Sequence, residues 1–484
     1  MESGVPLRQL QQALAVGTDS MTSPETDKIA WDLQPRGLRP RLRTLLGVLL
    51  VVELIALVSL GAWWLCLLGY RAPLIGVLLA VSAVGLAWLC WRFFRAAYRR
   101  RFQFSLRTLM ILVAAFSLGL GFVVRPLEQH RKRQALCRFL AKARFAAQQQ
   151  GHVRYEFPVL PGDVREVNEI DFSGVPIEDT DLVDIGSFGN LTTLYLNYTR
   201  VTDDGLKHLK ELTRLQHLEL GYCQVTDVGL EHLKQLADLR ELGLGGTRIT
   251  DTGLKHLTEL PSLRRLEIFD TRITDAGLEH LEGLTSLQHL GLGNCQVTDG
   301  GLKHLEGLSS LQSLSLANTQ VTDRGLAHLK DLTNLTTLWL IDTSITDAGL
   351  EHLKQLNKLT TLWLDNTSVT DSGAQHLAEL AELRQLGLTN THVTDVSLEH
   401  LKRLVRLERL DLNGTGVTDA GLLHLKNLAD LGQLSLDNTP VTDAGLQHLA
   451  KLPNLRWVNL RGTRVTKEGA KQLQEALPYC VLDR

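Results

Sequence analysis

Residues 191–214 read LTTLYLNYTRVTDDGLKHLKELTR, and residues 215–238 read LQHLELGYCQVTDVGLEHLKQLAD. The leucines, the Val-Thr-Asp tripeptide, the glycine and the histidine fall at the same places in both. Val201-Thr202-Asp203 returns at Val225, Ile249, Ile273, Val297, Val321, Ile345, Val369, Val393, Val417 and Val441, each time followed by Thr-Asp. Weaker copies start at Ile177 and Val465. The spacing is 24 residues throughout, with no insertion, which gives thirteen units of the form L-x-x-L-x-L-x-x-T-x-V-T-D-x-G-L-x-H-L-x-x-L-x-x. Self-similarity at such a period is the mark of a stacked-repeat architecture.

Within a unit, Leu194 and Leu196 alternate with polar residues, so they share one face of a short strand. Leu206, Leu209 and Leu212 recur every three residues, as on one face of a short helix. Asp203 precedes that helix and is expected to be its N-cap, and Gly205 lets the helix start pass close to the preceding turn. One unit cannot bury both leucine sets, whereas stacked units can, because each covers the face of the next. The end units deviate as caps do: Asp181 stands at the glycine position of the first, and Lys467 and Gln472 replace the aspartate and histidine of the last. Leu477–Leu482 looks like half a further unit. Inside the array, Ser397 takes a glycine position and Ala374 a leucine position.

This pattern resembles the leucine-rich-repeat family over about residues 167–484. It is most similar to the cysteine-containing subtype familiar from F-box substrate receptors. Thr199, Cys223, Thr247 and Cys295 occupy the family's ladder position, normally Asn or Cys. The resemblance implies an α/β solenoid, a horseshoe with parallel strands on its concave face and short helices on its convex face. The chain departs from the F-box proteins in its shorter repeat, and no F-box segment lies upstream, so ubiquitin-ligase function is not carried over.

The residues before the repeats read differently. Of the 51 Lys+Arg and 53 Asp+Glu in the chain, 22 and 9 fall within residues 1–165, leaving 29 and 44 for residues 166–484. A basic half beside an acidic half suggests two environments: anionic lipid for the first, and no nucleic acid for the second, whose charge repels phosphate. Residues 1–43 are a polar, basic tail without period. Apolar runs at about 45–70, 74–91 and 108–124 suit an α-helical transmembrane anchor within 44–125, with Trp63, Trp64, Tyr70, Trp88 and Trp91 at interfacial places. Residues 126–165 form a helical juxtamembrane linker and cap, and 166–484 the repeat domain.

Arg36, Arg39, Arg41 and Arg43 place the N-terminus in the cytoplasm by the positive-inside rule, and Arg92, Arg95, Arg99, Arg100, Arg101 and Arg107 keep the second connection there. A third span then carries the repeats out of the cytoplasm; Arg125, Arg131, Lys132 and Arg133 argue the other way. The anchor resembles that of bacterial membrane proteins carrying the same repeat, with Phe104-Ser105-Leu106-Arg107-Thr108-Leu109 opening the third segment. The resemblance implies a bacterial inner membrane.

No serine, cysteine or lysine stands out from the repeat beside a dedicated base, and the glycines follow the 24-residue period rather than a phosphate loop, so neither catalysis nor a cofactor is expected. Cys66, Cys90, Cys137, Cys223, Cys295 and Cys480 show neither CxxC pairs nor metal-ligand spacing. The one-per-unit histidines, His208 through His448, would sit roughly 10 Å apart, too far for Zn–N bonds of about 2 Å. They are expected to pack or hydrogen-bond between units, and no metal site is expected. Function should vary at strand positions that face away from the core, equivalent to 193, 195 and 197. Most are small or polar, such as Gly291, Gly293, Ser313 and Ser315, but Trp339 and Trp363 occur in consecutive units with Asp365 and Asp411 close by, and Tyr195, Phe269 and Trp457 are further aromatics. Exposed rigid aromatics make binding anchors. The expectation is a protein or peptide ligand on the concave face; a cytoplasmic adaptor working through an acidic convex side is the alternative.

Overall fold

The computed structural model describes residues 167–484. The expected tail (1–43), transmembrane region (44–125) and linker (126–165) lie outside the described residues. Among those described, no helix is long and apolar enough to cross a membrane.

Fourteen three-residue strands, from Glu169–Asp171 to Val481–Asp483, form one sheet whose strand order is the chain order. Each strand pairs in parallel with the next at a constant offset, so that Leu194 faces Leu218 and Trp339 faces Trp363. The middle residue of each strand points inward. Leu194, Leu196, Leu206, Leu209 and Leu212 all have zero exposure, and their equivalents merge into one continuous apolar core from Val167 to Cys480.

The segment opposite the strands is tighter than an ordinary helix. A four-residue α-turn such as Asp299–Leu302 passes into a 3₁₀ segment such as Lys303–Leu305 in six units. Leucines at every third residue match the three residues per turn of a 3₁₀-helix, which stacks them directly above one another. Elsewhere a single α-helix serves, as at Asp371–Leu377 and Lys467–Ala476.

The repeated aspartate does not cap its own helix, contrary to the sequence-based expectation. Thr202 is the N-cap, in extended conformation, and its hydroxyl accepts the Asp204 N–H. Asp203, the first helical residue, instead reaches the next unit: its Oδ1 accepts the Thr226 N–H at 2.8 Å and its Oδ2 accepts the Thr226 hydroxyl at 2.6 Å. The same two-pronged contact recurs from Asp179–Thr202 to Asp443–Thr466, with N–H distances of 2.7–2.8 Å and hydroxyl distances of 2.5–2.7 Å. Asp fits the contact because two carboxylate oxygens can receive two donors that project from one threonine. A hydrogen bond to a charged group contributes about 1.5–3 kcal/mol net.

This bridge explains the repeated glycine. A Cβ on Gly301 would lie 2.5 Å from Asp275 Oδ1, so the position is bare to let the previous carboxylate through. Ser397 solves the same problem chemically: fully buried, its hydroxyl donates to Asp371 Oδ1. In the first unit no earlier carboxylate needs room among the described residues, and Asp181 turns back to accept the Glu178 N–H at 3.1 Å. Lys467, which has no carboxylate to offer, opens the last helix, Lys467–Ala476.

A second strip of contacts closes the turn after each strand. The ladder hydroxyls donate locally, as Thr247 to the Leu244 carbonyl at 2.6 Å. Cys223 and Cys295 instead reach the preceding unit, donating to the carbonyls of Leu196 and Ile268 at 3.1 and 3.2 Å. The residue just before this position adopts left-handed φ of 53–71°, and is Asn, Asp or Gly except at Tyr198 and Tyr222. Short polar side chains tolerate that conformation, and some form their own links, as Asn318 Nδ2 to Asn294 Oδ1 at 2.6 Å.

Substituting Gly301→Ala should therefore destabilise the repeats by about 1–3 kcal/mol through overpacking, with Gly301→Ser recovering part of the loss because a hydroxyl can bond Asp275. Gly283→Ala, where a Cβ meets nothing within 4 Å, should be neutral or stabilising by up to about 1 kcal/mol. Urea midpoints of the three variants rank these effects; an alanine at 301 as stable as glycine would refute the role assigned to the bridge.

Candidate functional site

The outward strand positions equivalent to 193, 195 and 197 form a face three residues wide. On this face, large side chains lean over glycines of the neighbouring strand. The Glu219 carboxylate covers Gly243, Glu267 covers Gly291, and the Trp363 indole covers Gly387. Phe269 leans the other way, over Gly245. A Cβ at any of these glycines would collide with the covering group.

The seven residues expected to bind do not make one site. With strands about 4.8 Å apart, Tyr195 lies roughly 29 Å from Trp339, and Trp457 lies roughly 24 Å away on the other side. Tyr195, Phe269, Trp339, Trp363 and Trp457 are all half-buried. Trp339 and Trp363 are register partners, yet their indoles are not among the stacked or tilted ring pairs of the described residues, because Trp363 turns toward Gly387 instead.

Asp365 and Asp411, expected as exposed binding groups, are buried, at 9% and 5% exposure. Asp365 Oδ1 accepts the Thr389 N–H at 2.8 Å. Burial pushes its carboxyl up, the Thr389 hydrogen bond opposes this, and nearby Asp411 adds to the rise. Arg409 donates from Nε and Nη2 to Asp411, the shortest contact being 2.8 Å, and its guanidinium carbon sits 4.9 Å from the centre of the Trp363 ring. Arg409 thus pairs with Asp411 and covers one face of the Trp363 indole, while Asp365 is satisfied by Thr389.

Trp339 is different. It borders a hollow of about 410 Å³ floored by Leu290, Gly291, Ser313 and Ser315, with Arg265, Glu267 and His289 on the opposite wall. The hollow exists because successive strands carry only glycine, serine or alanine at positions 195 and 197: Gly291, Gly293, Ser315 and Ala317. Arg265 Nη2 donates to Glu267 Oε1 at 2.8 Å, so the wall carries paired charges. Burial raises the Glu267 carboxyl pKa, opposed by Arg265. Burial, joined by Arg265, lowers that of His289, which favours its neutral form.

Sequence reasoning missed two further features. His217 sits between two carboxylates, Nε2 at 3.1 Å from Glu219 and Nδ1 at 3.0 Å from Glu241, with the Tyr195 ring 4.9 Å away. Tyr198 and Tyr222 stack at 4.7 Å in their left-handed turns, 65% and 42% exposed. The tyrosines were legible as departures from Asn, Asp or Gly at that place in the unit. The repeated histidines lie on the helix side, where His304 and His328 contact Glu282 and Glu306 of the preceding units at 2.5 and 2.6 Å. Among the described residues, no three His, Cys, Asp or Glu side chains group as a metal-ligand set.

The Glu219 hydrogen bond raises the His217 pKa, opposed by burial and assisted by Glu241. A histidine whose folded pKa exceeds its unfolded value of about 6.5 stabilises the fold fully below that pH and loses the contribution as pH rises through the folded value. The stability difference between wild type and His217→Gln should therefore be largest near pH 6 and shrink toward pH 9. Denaturation at the two pH values checks this, and a difference that grows with pH would contradict it.

A family model described as a leucine-rich repeat region matches residues 195–374. An internalin from Listeria monocytogenes superposes with a TM-score of 0.54 at 24% identity, covering 71% of this chain and 94% of that one. A leucine-rich-repeat protein of Leptospira interrogans aligns at 19% identity, covering 70% and 97%, with a TM-score of 0.43. No curated protein matches the chain. The internalin likeness speaks for the fold alone, and it agrees with the parallel sheet and the buried leucine sets: residues 195–374 match the leucine-rich-repeat region, and residues 167–484 fold as one leucine-rich-repeat array.

Proposed function

We propose that this chain is a membrane-tethered recognition protein that holds a protein or peptide partner on its concave strand face, centred on Trp339, and that it performs no catalysis. The observation that carries this reading is the contrast between two neighbouring tryptophans. Trp363 is occupied by Arg409 and Gly387, whereas Trp339 borders a hollow of about 410 Å³ on the open face. That volume lies within the range of sites that bury a ligand, roughly 300–1,000 Å³. A half-buried indole beside it is the type of residue on which binding energy concentrates. The backbone around it is fixed by the bridges on the far side, so little ordering cost accompanies capture.

The anchor belongs to the same proposal. The apolar segments at about 45–70, 74–91 and 108–124 would tether the repeats to a bacterial inner membrane, with lipid contacted by the basic N-terminal half and the repeats outside the cytoplasm. Protease added to spheroplasts, with the outer membrane opened and the inner membrane intact, should cut the repeats on that arrangement. Repeats protected until the inner membrane is breached would favour a cytoplasmic adaptor.

The face itself is tested by capture with the full-length chain. Trp339→Ala removes the anchor and Ser315→Trp fills the hollow; both should reduce partner capture about tenfold or more. Tyr479→Ser, at an 85% exposed position far from the hollow, should leave it intact. Capture unchanged in both hollow variants would exclude this face.

A further inference from the structure

The hydrogen-bonding inventory of the hollow says more than its shape. On other parts of the strand face His217 is matched by Glu219 and Glu241, Asp365 by Thr389, and Asp411 by Arg409. In the hollow four polar side chains stand together without such a match. Among the described residues, the hydroxyls of Ser313 and Ser315, the ring nitrogens of His289 and the indole N–H of Trp339 have no hydrogen-bond partner. Each hydroxyl can donate and accept, and a neutral imidazole does the same through its two nitrogens.

The charges on the wall narrow the ligand class. Arg265 and Glu267 neutralise each other at 2.8 Å. An anionic ligand would meet the Glu267 carboxylate and a cationic one the Arg265 guanidinium, so a net charge gains little here. An extended peptide offers one N–H and one C=O per residue, spread along the strand direction, and a tyrosine side chain offers one hydroxyl. Neither supplies several two-way hydrogen-bonding groups within a few ångströms of each other beside an apolar surface. A pyranose ring does, having hydroxyls around its rim and C–H groups on its face.

We propose that the hollow bounded by Trp339, Ser313, Ser315, His289 and the Arg265–Glu267 pair is a saccharide subsite that takes an uncharged pyranose. Trp339 supplies the apolar wall for the C–H face, and the two serines and His289 exchange hydrogen bonds with the rim hydroxyls. Unpaired donors on Arg265 reach the hydroxyls nearest that wall. The volume of about 410 Å³ leaves room for more than one ring. The sugar could come from a free oligosaccharide or from a glycan carried by a protein partner; the recognising chemistry is the same. The proposal rests on the reading that the strand face binds, and it specifies what enters the centre of that face.

The test titrates the full-length chain, in a detergent without a sugar headgroup, with glucose, galactose, mannose, N-acetylglucosamine and their disaccharides, following tryptophan emission and calorimetric heat. At least one uncharged sugar should bind saturably. Ser315→Trp and Trp339→Ala should each weaken it about tenfold or more, while Tyr479→Ser leaves it unchanged. Glucuronic acid and glucosamine should bind more weakly than glucose. A glycopeptide that binds tighter than both its free sugar and its bare peptide identifies a protein-borne glycan, and one that binds no tighter than the free sugar identifies a free saccharide; either supports the subsite. Absence of saturable sugar binding, or binding that survives Ser315→Trp, overturns it. If no sugar binds while Ser315→Trp abolishes partner capture, the saccharide inference falls and the protein-binding face stands. Binding of N-acetyl-tyrosinamide in place of every sugar likewise overturns the subsite and leaves the protein-binding face standing.

Discussion

A carboxylate on one unit bonded to a threonine on the next is the contact on which this molecule is built. The apolar core alone does not set how units align, since leucines stack with similar gain over a range of shifts. Strand pairing removes that freedom on one side and the Asp–Thr bridge removes it on the other, because the bridge demands two distances at once, one to a backbone N–H and one to a hydroxyl. The same hydroxyl accepts from the N–H two residues on, so the helix start and the contact between units share one atom. Hydrogen bonds linked in this way polarise one another in a partly buried setting. At the last bridge, the Thr466 hydrogen bond holds the Asp443 carboxyl below the usual carboxylate range, as expected for a group bonded in its charged form.

The bridge also dictates which residues can vary. It requires Thr, Asp and either Gly or a serine able to bond the carboxylate. These are the residues that recur, and the end units depart from them, with Asp181 at the glycine place and Lys467 at the aspartate place. The strand face takes no part in it. Side chains there are free to differ from unit to unit, and they do: a carboxylate pair around His217, a run of glycine and serine, two tryptophans, an Arg–Asp pair. Stability carried by nearest-neighbour contacts on one side leaves the other side available for recognition.

Much of this was legible in the residues. The period, the alternation of Leu194 and Leu196 and the three-residue spacing of Leu206, Leu209 and Leu212 follow from local geometry, and the fold obeys them. The outward positions were legible for the same reason, since strand side chains alternate. The partner of Asp203 was not, because an aspartate before a helix suits a cap as well as a bridge, and only the packed neighbour decides between them. Nor was the burial of Asp365 and Asp411. It depends on Trp363 turning over Gly387 and on Arg409 closing over it, contacts between residues far apart in the chain that no local pattern encodes. The hollow was half legible: Gly291, Gly293, Ser313 and Ser315 announced small side chains in succession, but its walls needed the lean of Glu267 and the register of Trp339.

The two tryptophans show how a repeat array makes different surfaces from the same residue at the same place in the unit. Position 195 of one unit sees position 195 of the next, so what an indole does is decided by the side chain 24 residues on. Trp363 is followed by Gly387, which offers it space, and the next strand brings Arg409 and Asp411 to close the cluster. Trp339 is followed by Trp363 and preceded by Ser315, so the space beside it opens on the serine side. Exchanging the glycine and serine neighbours, with no change to either tryptophan, would move the open hollow along the sheet. Specificity in this domain is therefore written in the small residues as much as in the large ones.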